Sequence, residues 1–166
     1  MATTPVTLPE PRYPAKIATT ANALVRIAAL ARPLVVTNGV FDLLHLGHVT
    51  YLEQAKALGA SLVVAVNTDA SVRRLGKGDD RPLNTLDDRM AVLAALACVD
   101  LVVPFDADTP RDLIVACAPD ILVKGGDYTA ATTAGADEVI RGGGRFVAIP
   151  FRHARSTTEL LERIRR

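Results

Sequence analysis

Cysteine and histidine are scarce in this chain of 166 residues, which has two of the first and three of the second, and its net charge is only +1. Each shortage excludes something. Cys98 and Cys117 both lie in apolar helical patterns and lack the CxxC spacing of a zinc or redox site, so they read as buried thiols in a reducing compartment. A charge so near zero gives no global reason to expect nucleic acid or an anionic membrane, and any anion site must be local. No stretch of about 18 apolar residues exists to span a membrane. The N-terminus has no charged region followed by a long apolar run, so no signal peptide is expected and the cytoplasm is the expected location. The first β–α turn lacks GxGxxG, which argues against a dinucleotide-dependent oxidoreductase. Internal repeats and low-complexity segments are absent too.

What is present is ordinary globular material, with 49% apolar and 22% charged residues, and the length suits one α/β domain. Residues 1 to about 15 hold four of the ten prolines and predict an extended tail or an arm packed on a neighbour. A short amphipathic helix is expected over 21–31, closed by Arg32-Pro33. Short β-branched runs then recur at 34–37, 61–66, 100–103, 120–123 and 145–149. Helical patterns separate and follow them at about 47–58, 86–97, 110–117, 133–141 and 156–165. Apolar strands without polar alternation imply a parallel sheet covered on both faces. The expected fold is therefore a Rossmann-like, doubly wound parallel sheet of about five strands in three α/β/α layers. Residues 1–32 are expected to form an arm and 33–166 the domain. Its ligand crevice should lie at the carboxyl ends of the strands, where strand order reverses. The stretch 74–87, with Gly76, Gly78 and Pro82, predicts a mobile loop.

The segment with most chemistry follows the first strand: Asn38-Gly39-Val-Phe41-Asp42-Leu-Leu-His45-Leu-Gly47-His48. His45 and His48 are three apart and share one face of a helical turn. Gly47 between them leaves room for a ligand at a helix N-terminus, whose unpaired N–H groups favour phosphate. Three readings stay open on the residues alone. The histidines are structural, or they bind a metal with Asp42, or they cradle a triphosphate.

Other candidates follow later strands. Asp69 reads either as a helix-capping or turn residue or as a group facing the crevice. Lys77 is either a solvated loop lysine or a cation that swings over phosphates. Arg89, early in its helix, is unfavourably placed for the dipole; it would reach an anion or pair with Asp87 or Asp88. Lys124-Gly125-Gly126-Asp127-Tyr128 ends a strand with two glycines, which let the backbone approach a ligand or simply turn. Ser156-Thr157-Thr158-Glu159 fits a capping box, and its amides and hydroxyls would also suit an anion.

The run GVFDLLHLGH at 39–48 resembles the HxGH signature of the cytidylyltransferase-like nucleotidyltransferases, and the resemblance extends over about 33–166. With AVNTDASVRRL, RPLN, LVKGGDY and STTEL, the chain looks most like the heptose-1-phosphate adenylyltransferases in their free-standing form. That resemblance implies AMP transfer from ATP, with Mg²⁺, to D-glycero-β-D-manno-heptose 1-phosphate, giving ADP-heptose and pyrophosphate for lipopolysaccharide core or S-layer glycan. It implies catalytic roles for His45, His48 and Lys77. Nucleotide binding falls to Asn38, Gly39, Phe41, Gly47, Asp69, Arg89, Lys124, Gly125, Ser156, Thr157 and Thr158. Substrate binding falls to Asp42, Gly126, Asp127 and Tyr128, with no metal ligands. Some such enzymes are dimers, which an apolar N-terminal arm would suit. Two alternatives remain: a cytidylyltransferase acting on glycerol 3-phosphate or a similar alcohol phosphate, and a non-catalytic nucleotide-binding regulator.

Overall fold

Each of the five apolar runs forms a strand in the computed structural model, which describes residues 8–76, 80–150 and Leu160. The strands are β1 Leu34–Gly39, β2 Ser61–Asn67, β3 Leu101–Phe105, β4 Ile121–Gly125 and β5 Arg145–Ile149. They make one parallel sheet in the order β3-β2-β1-β4-β5. The chain winds outward from β1 to β3, then crosses back to β4 beside β1. Strand order therefore reverses between β1 and β4.

Successive side chains of a strand point to opposite faces, and here both faces are apolar. Val35, Leu62, Val64, Val66, Val102, Ile121 and Val123 enter one core, against Tyr51, Leu52 and Ala55 of α2 (Leu46–Lys56) and Met90, Leu93 and Ala94 of α4 (Leu86–Ala95). Leu34, Val36, Val63, Ala65, Leu101, Val103 and Leu122 enter the other. That second core is closed by α1 (Ala23–Ala28), α5 (Arg111–Cys117) and α6 (Ala136–Arg141). This is why the strands read as unbroken apolar runs: no strand residue in the middle of the sheet has a wet side.

Two sequence expectations change. A helix absent from the expected pattern, α3 (Asp69–Arg74), follows β2 directly. Thr68, not Asp69, is its N-cap, accepting from the Ser71 N–H at 3.1 Å. The arm also packs on its own chain. Ile17 bridges Val102, the Ala18 N–H donates to Val102 O at 2.9 Å, and the Arg26 guanidinium donates to the carbonyls of Ala15 and Ile17. Residues 17–18 thus extend the sheet beyond β3 and cover an edge that would otherwise present unpaired backbone groups. The helix expected at 156–165 lies outside the described residues except Leu160, which is helical.

Candidate active site

At the carboxyl ends of β1 and β4, where the strand order reverses, a cleft of about 400 Å³ opens. It is lined by Asn38 and Gly39 at the end of β1 with Val40 and Phe41 beyond it, by His48 and Tyr51 of α2, and by Lys124 and Gly125 at the end of β4 with Tyr128 beyond it. An α/β sheet places its ligands here because flanking loops part at the reversal and helix N-termini converge on it.

His45 is the N-cap of α2, and its Nδ1 accepts from the His48 N–H at 3.4 Å. The two rings stack with centroids 3.8 Å apart and planes 19° from parallel. Phe41 presents its edge to His48 at 5.2 Å. Its backbone is left-handed, at φ 51, a conformation that costs a non-glycine residue roughly 1 kcal/mol. Gly39 makes this turn feasible, because a Cβ there would lie 2.9 Å from Phe41 Cε2. So the absence of a side chain at Gly39 seats Phe41, and Phe41 backs His48.

Burial and the neighbouring His45 push the His48 pKa down to about 4, against a smaller upward pull from the Leu43 backbone. His48 is therefore neutral at pH 7 in the absence of a ligand. Its Nδ1 and the Asn38 Oδ1 are buried without a hydrogen-bond partner among the described residues, and both residues line the cleft. Lys124 Nζ donates to the Asn38 carbonyl at 3.2 Å, bridging β4 to β1, and stands 5.3 Å over the Tyr128 ring.

Other sequence-predicted residues are drawn elsewhere. Asp42, expected at the substrate, is buried and pairs with Arg81 Nε at 2.5 Å. It also accepts from the N–H groups of Leu83 and Asn84 at 2.9 and 3.0 Å. Its carboxylate is spent on holding the turn after β1 to residues 81–84, and this half of the expected mobile loop is anchored. Arg89 is correspondingly not aimed into the cleft. Its fully buried guanidinium donates to the carbonyls of Asn84, Val40 and Asn67 and to Asp69 Oδ1, at 3.1, 2.7, 2.8 and 2.7 Å. Neither Asp87 nor Asp88 is its partner. Asp69 is thereby the anchor of Arg89 and not a cleft residue.

Gly47 is buried in the first turn of α2. Gly126 turns at φ 88 while its N–H donates to Ile149 O, and Asp127 is exposed beyond it, so neither lines the cleft. Lys77 and Ser156, Thr157 and Thr158 lie outside the described residues.

The cleft also contains residues that the sequence reading passed over: Tyr51, Asn67, Leu75, Asp108, Thr109, Pro110 and Thr132 to Ala134. The rule that ligands sit at strand ends would have pointed to Asn67 after β2 and to Asp108–Pro110 after β3. Tyr51, one turn on from His48, was also within reach of helical spacing. For Thr132–Ala134 the sequence carries no such signal.

Among the described residues no three His, Cys, Asp or Glu side chains come together as metal ligands. Asp42 faces Arg81, away from the two histidines. Apart from Asp108 and the phenols of Tyr51 and Tyr128, the ionisable groups that line the cleft among the described residues are the nitrogens of His48 and Lys124. Mg²⁺ prefers oxygen ligands in octahedral array, so these residues do not form a resident magnesium site.

A family model described as cytidylyltransferase-like matches residues 36–163. The chain belongs to this cytidylyltransferase-like family. Within the family, it is 60% identical over 156 residues to a D-beta-D-heptose 1-phosphate adenylyltransferase of Bordetella bronchiseptica, covering 93% of this chain and 96% of that protein. It is 54% identical over 142 residues to the bifunctional protein HldE of Coxiella burnetii, covering 86% of this chain but only 30% of that protein. Among solved structures, a lipopolysaccharide core biosynthesis protein from Thermoplasma volcanium superposes with TM-score 0.60 at 29% identity, over 74% of this chain and 98% of that one. Pantothenate synthetase from Thermus thermophilus superposes with TM-score 0.56 at 17% identity, over 81% and 61% of the two chains, and shares the fold alone. No helix among the described residues is long and apolar enough to cross a membrane.

Proposed function

We propose that the protein is a heptose-1-phosphate adenylyltransferase, transferring AMP from ATP to D-glycero-β-D-manno-heptose 1-phosphate and releasing pyrophosphate. The product, ADP-heptose, would supply lipopolysaccharide core or S-layer glycan. The observation that carries the chemistry is His48 at the N-terminus of α2, lining the cleft at the sheet's reversal point with His45 stacked on it. The choice of donor and acceptor rests on the likeness over nearly the full length to the Bordetella bronchiseptica adenylyltransferase.

The acceptor's phosphate oxygen attacks the α-phosphorus of ATP in line, forming one P–O bond as the bond to the bridging α–β oxygen breaks. The electron pair leaves on pyrophosphate, and no covalent enzyme intermediate is needed. Such chemistry depends on positioning and on donors aimed at developing charge. His48 faces that charge, with His45 stacked on it. A polyanion beside His48 favours its protonated form, which makes a histidine that is neutral at rest a cation when the substrate is bound. Lys124 neutralises phosphate at the β4 end, and the first N–H groups of α2 add oriented dipoles. Lys77 and Ser156 to Thr158 are assigned to the β- and γ-phosphates on the resemblance. Magnesium enters as part of the substrate, as MgATP. The enzyme acts in the cytoplasm, with residues 33–166 as the catalytic domain, 1–32 as a supporting arm, and a homodimer as its assembly.

The test is pyrophosphate release from each nucleoside triphosphate with a panel of sugar and polyol phosphates. ATP with heptose 1-phosphate should be the productive pair. Release from CTP with glycerol 3-phosphate, and none from ATP with the heptose, would overturn the reading.

A further inference from the structure

The cleft has a polar asymmetry that phosphate binding leaves unexplained. His48, Lys124 and the α2 N-terminus make one part of it suitable for anions. Asp108, on the loop between β3 and α5, is the one carboxylate among the described lining residues. Its Oδ1 accepts from Arg74 Nε at 2.6 Å, which leaves Oδ2 for a ligand. A phosphate oxygen has no proton to give to that carboxylate, whereas a hydroxyl donates to it.

Asn38 points the same way. Its Oδ1 is buried at the end of β1 without a donor among the described residues, and an orphaned acceptor of this kind is unfavourable until something donates to it. Ionised phosphate oxygens have no proton to give, so the missing partner is an O–H or N–H group of the ligand. Asn38 is also joined directly to the Gly39–His48 turn, so its partner lies near the reacting phosphorus. In a sugar 1-phosphate the 2-hydroxyl is on the carbon next to the one bearing the phosphate. The amino group of adenine is a ribose and a base away.

We propose that Asn38, with Asp108, reads hydroxyl groups of the acceptor sugar and so sets which sugar phosphate is used. This rests on the adenylyltransferase reading above and moves Asn38 from the nucleotide to the acceptor.

The experiment compares kcat/KM for heptose 1-phosphate and its monodeoxy derivatives in the wild type, Asn38→Ala, Asn38→Asp and Asp108→Ala. Each protein is also assayed with ATP, 2′-deoxy-ATP and 3′-deoxy-ATP. In the wild type, two different deoxy sugars should each lose roughly 10- to 100-fold, one through Asn38 and one through Asp108. The first loss should vanish in Asn38→Ala and persist in Asn38→Asp, which keeps an acceptor oxygen. The other should lose its penalty in Asp108→Ala, which removes both carboxylate oxygens. The deoxy-ATP analogues should behave alike in all four proteins. The proposal is overturned if the wild type ignores every sugar hydroxyl, or if Asn38→Ala couples to a ribose hydroxyl instead. Should Asn38→Ala not fold, the wild-type series and Asn38→Asp still decide. Absence of pyrophosphate release from wild type with ATP and any sugar phosphate would instead sink the adenylyltransferase reading on which this one stands.

Discussion

His48 combines burial with a proposed role that calls for charge. Its folded pKa of about 4 lies below the ordinary value of 6.5, so between those values the unfolded chain binds a proton that the folded one refuses. Its contribution to stability is complete above pH 6.5 and is lost progressively as pH falls to about 4. The difference is worth on the order of 2–3 kcal/mol at most once residual exposure is discounted. Urea midpoints measured at pH 7 and pH 4.5 should therefore diverge more for the wild type than for His48→Gln, and equal divergence would refute the burial argument. Removing the ring altogether tests the chemistry. His48→Ala should retain the circular dichroism of the wild type and lose about 10²–10³ in kcat, the usual cost of one donor to transition-state charge. Near-normal turnover would sink the assignment.

The turn between β1 and α2 is held from outside by residues far along the chain. Asp42 and Arg81 form a buried ion pair, and Arg89 ties Val40, Asn67, Asn84 and Asp69 to one guanidinium. Breaking a buried pair by deleting one partner leaves an uncompensated charge, at about 3–5 kcal/mol. Arg81→Met should accordingly cost that much in urea unfolding. Asp42→Asn combined with Arg81→Met should cost clearly less than the two single changes added together, because neither charge is then left alone. Additive losses would show that the pair is not coupled. In both variants kcat should fall along with stability, since the same turn carries Phe41 and His45.

For the molecule as a whole, the N-terminal arm is the piece whose removal is most informative. Ile17 and Ala18 lie along β3 and occupy the hydrogen-bonding edge of the sheet. Deleting residues 1–18 exposes that edge, and exposed edges pair with other chains. The truncated protein should melt at a lower temperature and sediment as a concentration-dependent assembly larger than the full chain. Unchanged sedimentation and melting would mean that the arm does not protect the sheet.

Much of this protein was legible before any coordinates. The five apolar runs, their helical spacers and the HxGH turn after the first strand sufficed for the sheet, its two covered faces and the place of the cleft. Local pattern encodes those features: alternation and run length depend only on neighbours along the chain. α3 escaped because six residues are too few for periodicity to register, although Thr68 and Ser71 mark its start. What sequence left open were the partners of charged side chains, because a charge takes whichever counter-charge the fold brings near. Asp42 and Arg89 carry motif positions that read as ligand contacts. Tertiary structure instead spends them on Arg81 and on Asp69 with three carbonyls, since a buried charge is tolerated only when it is paired. Asn38 shows the reverse: expected from the resemblance to bind nucleotide, it has a buried acceptor that no donor among the described residues meets, which only the fold could reveal. The sequence thus determined the fold and the place of the turn at the cleft. The fold alone decided which polar groups were used up in building that turn and which were left for a ligand.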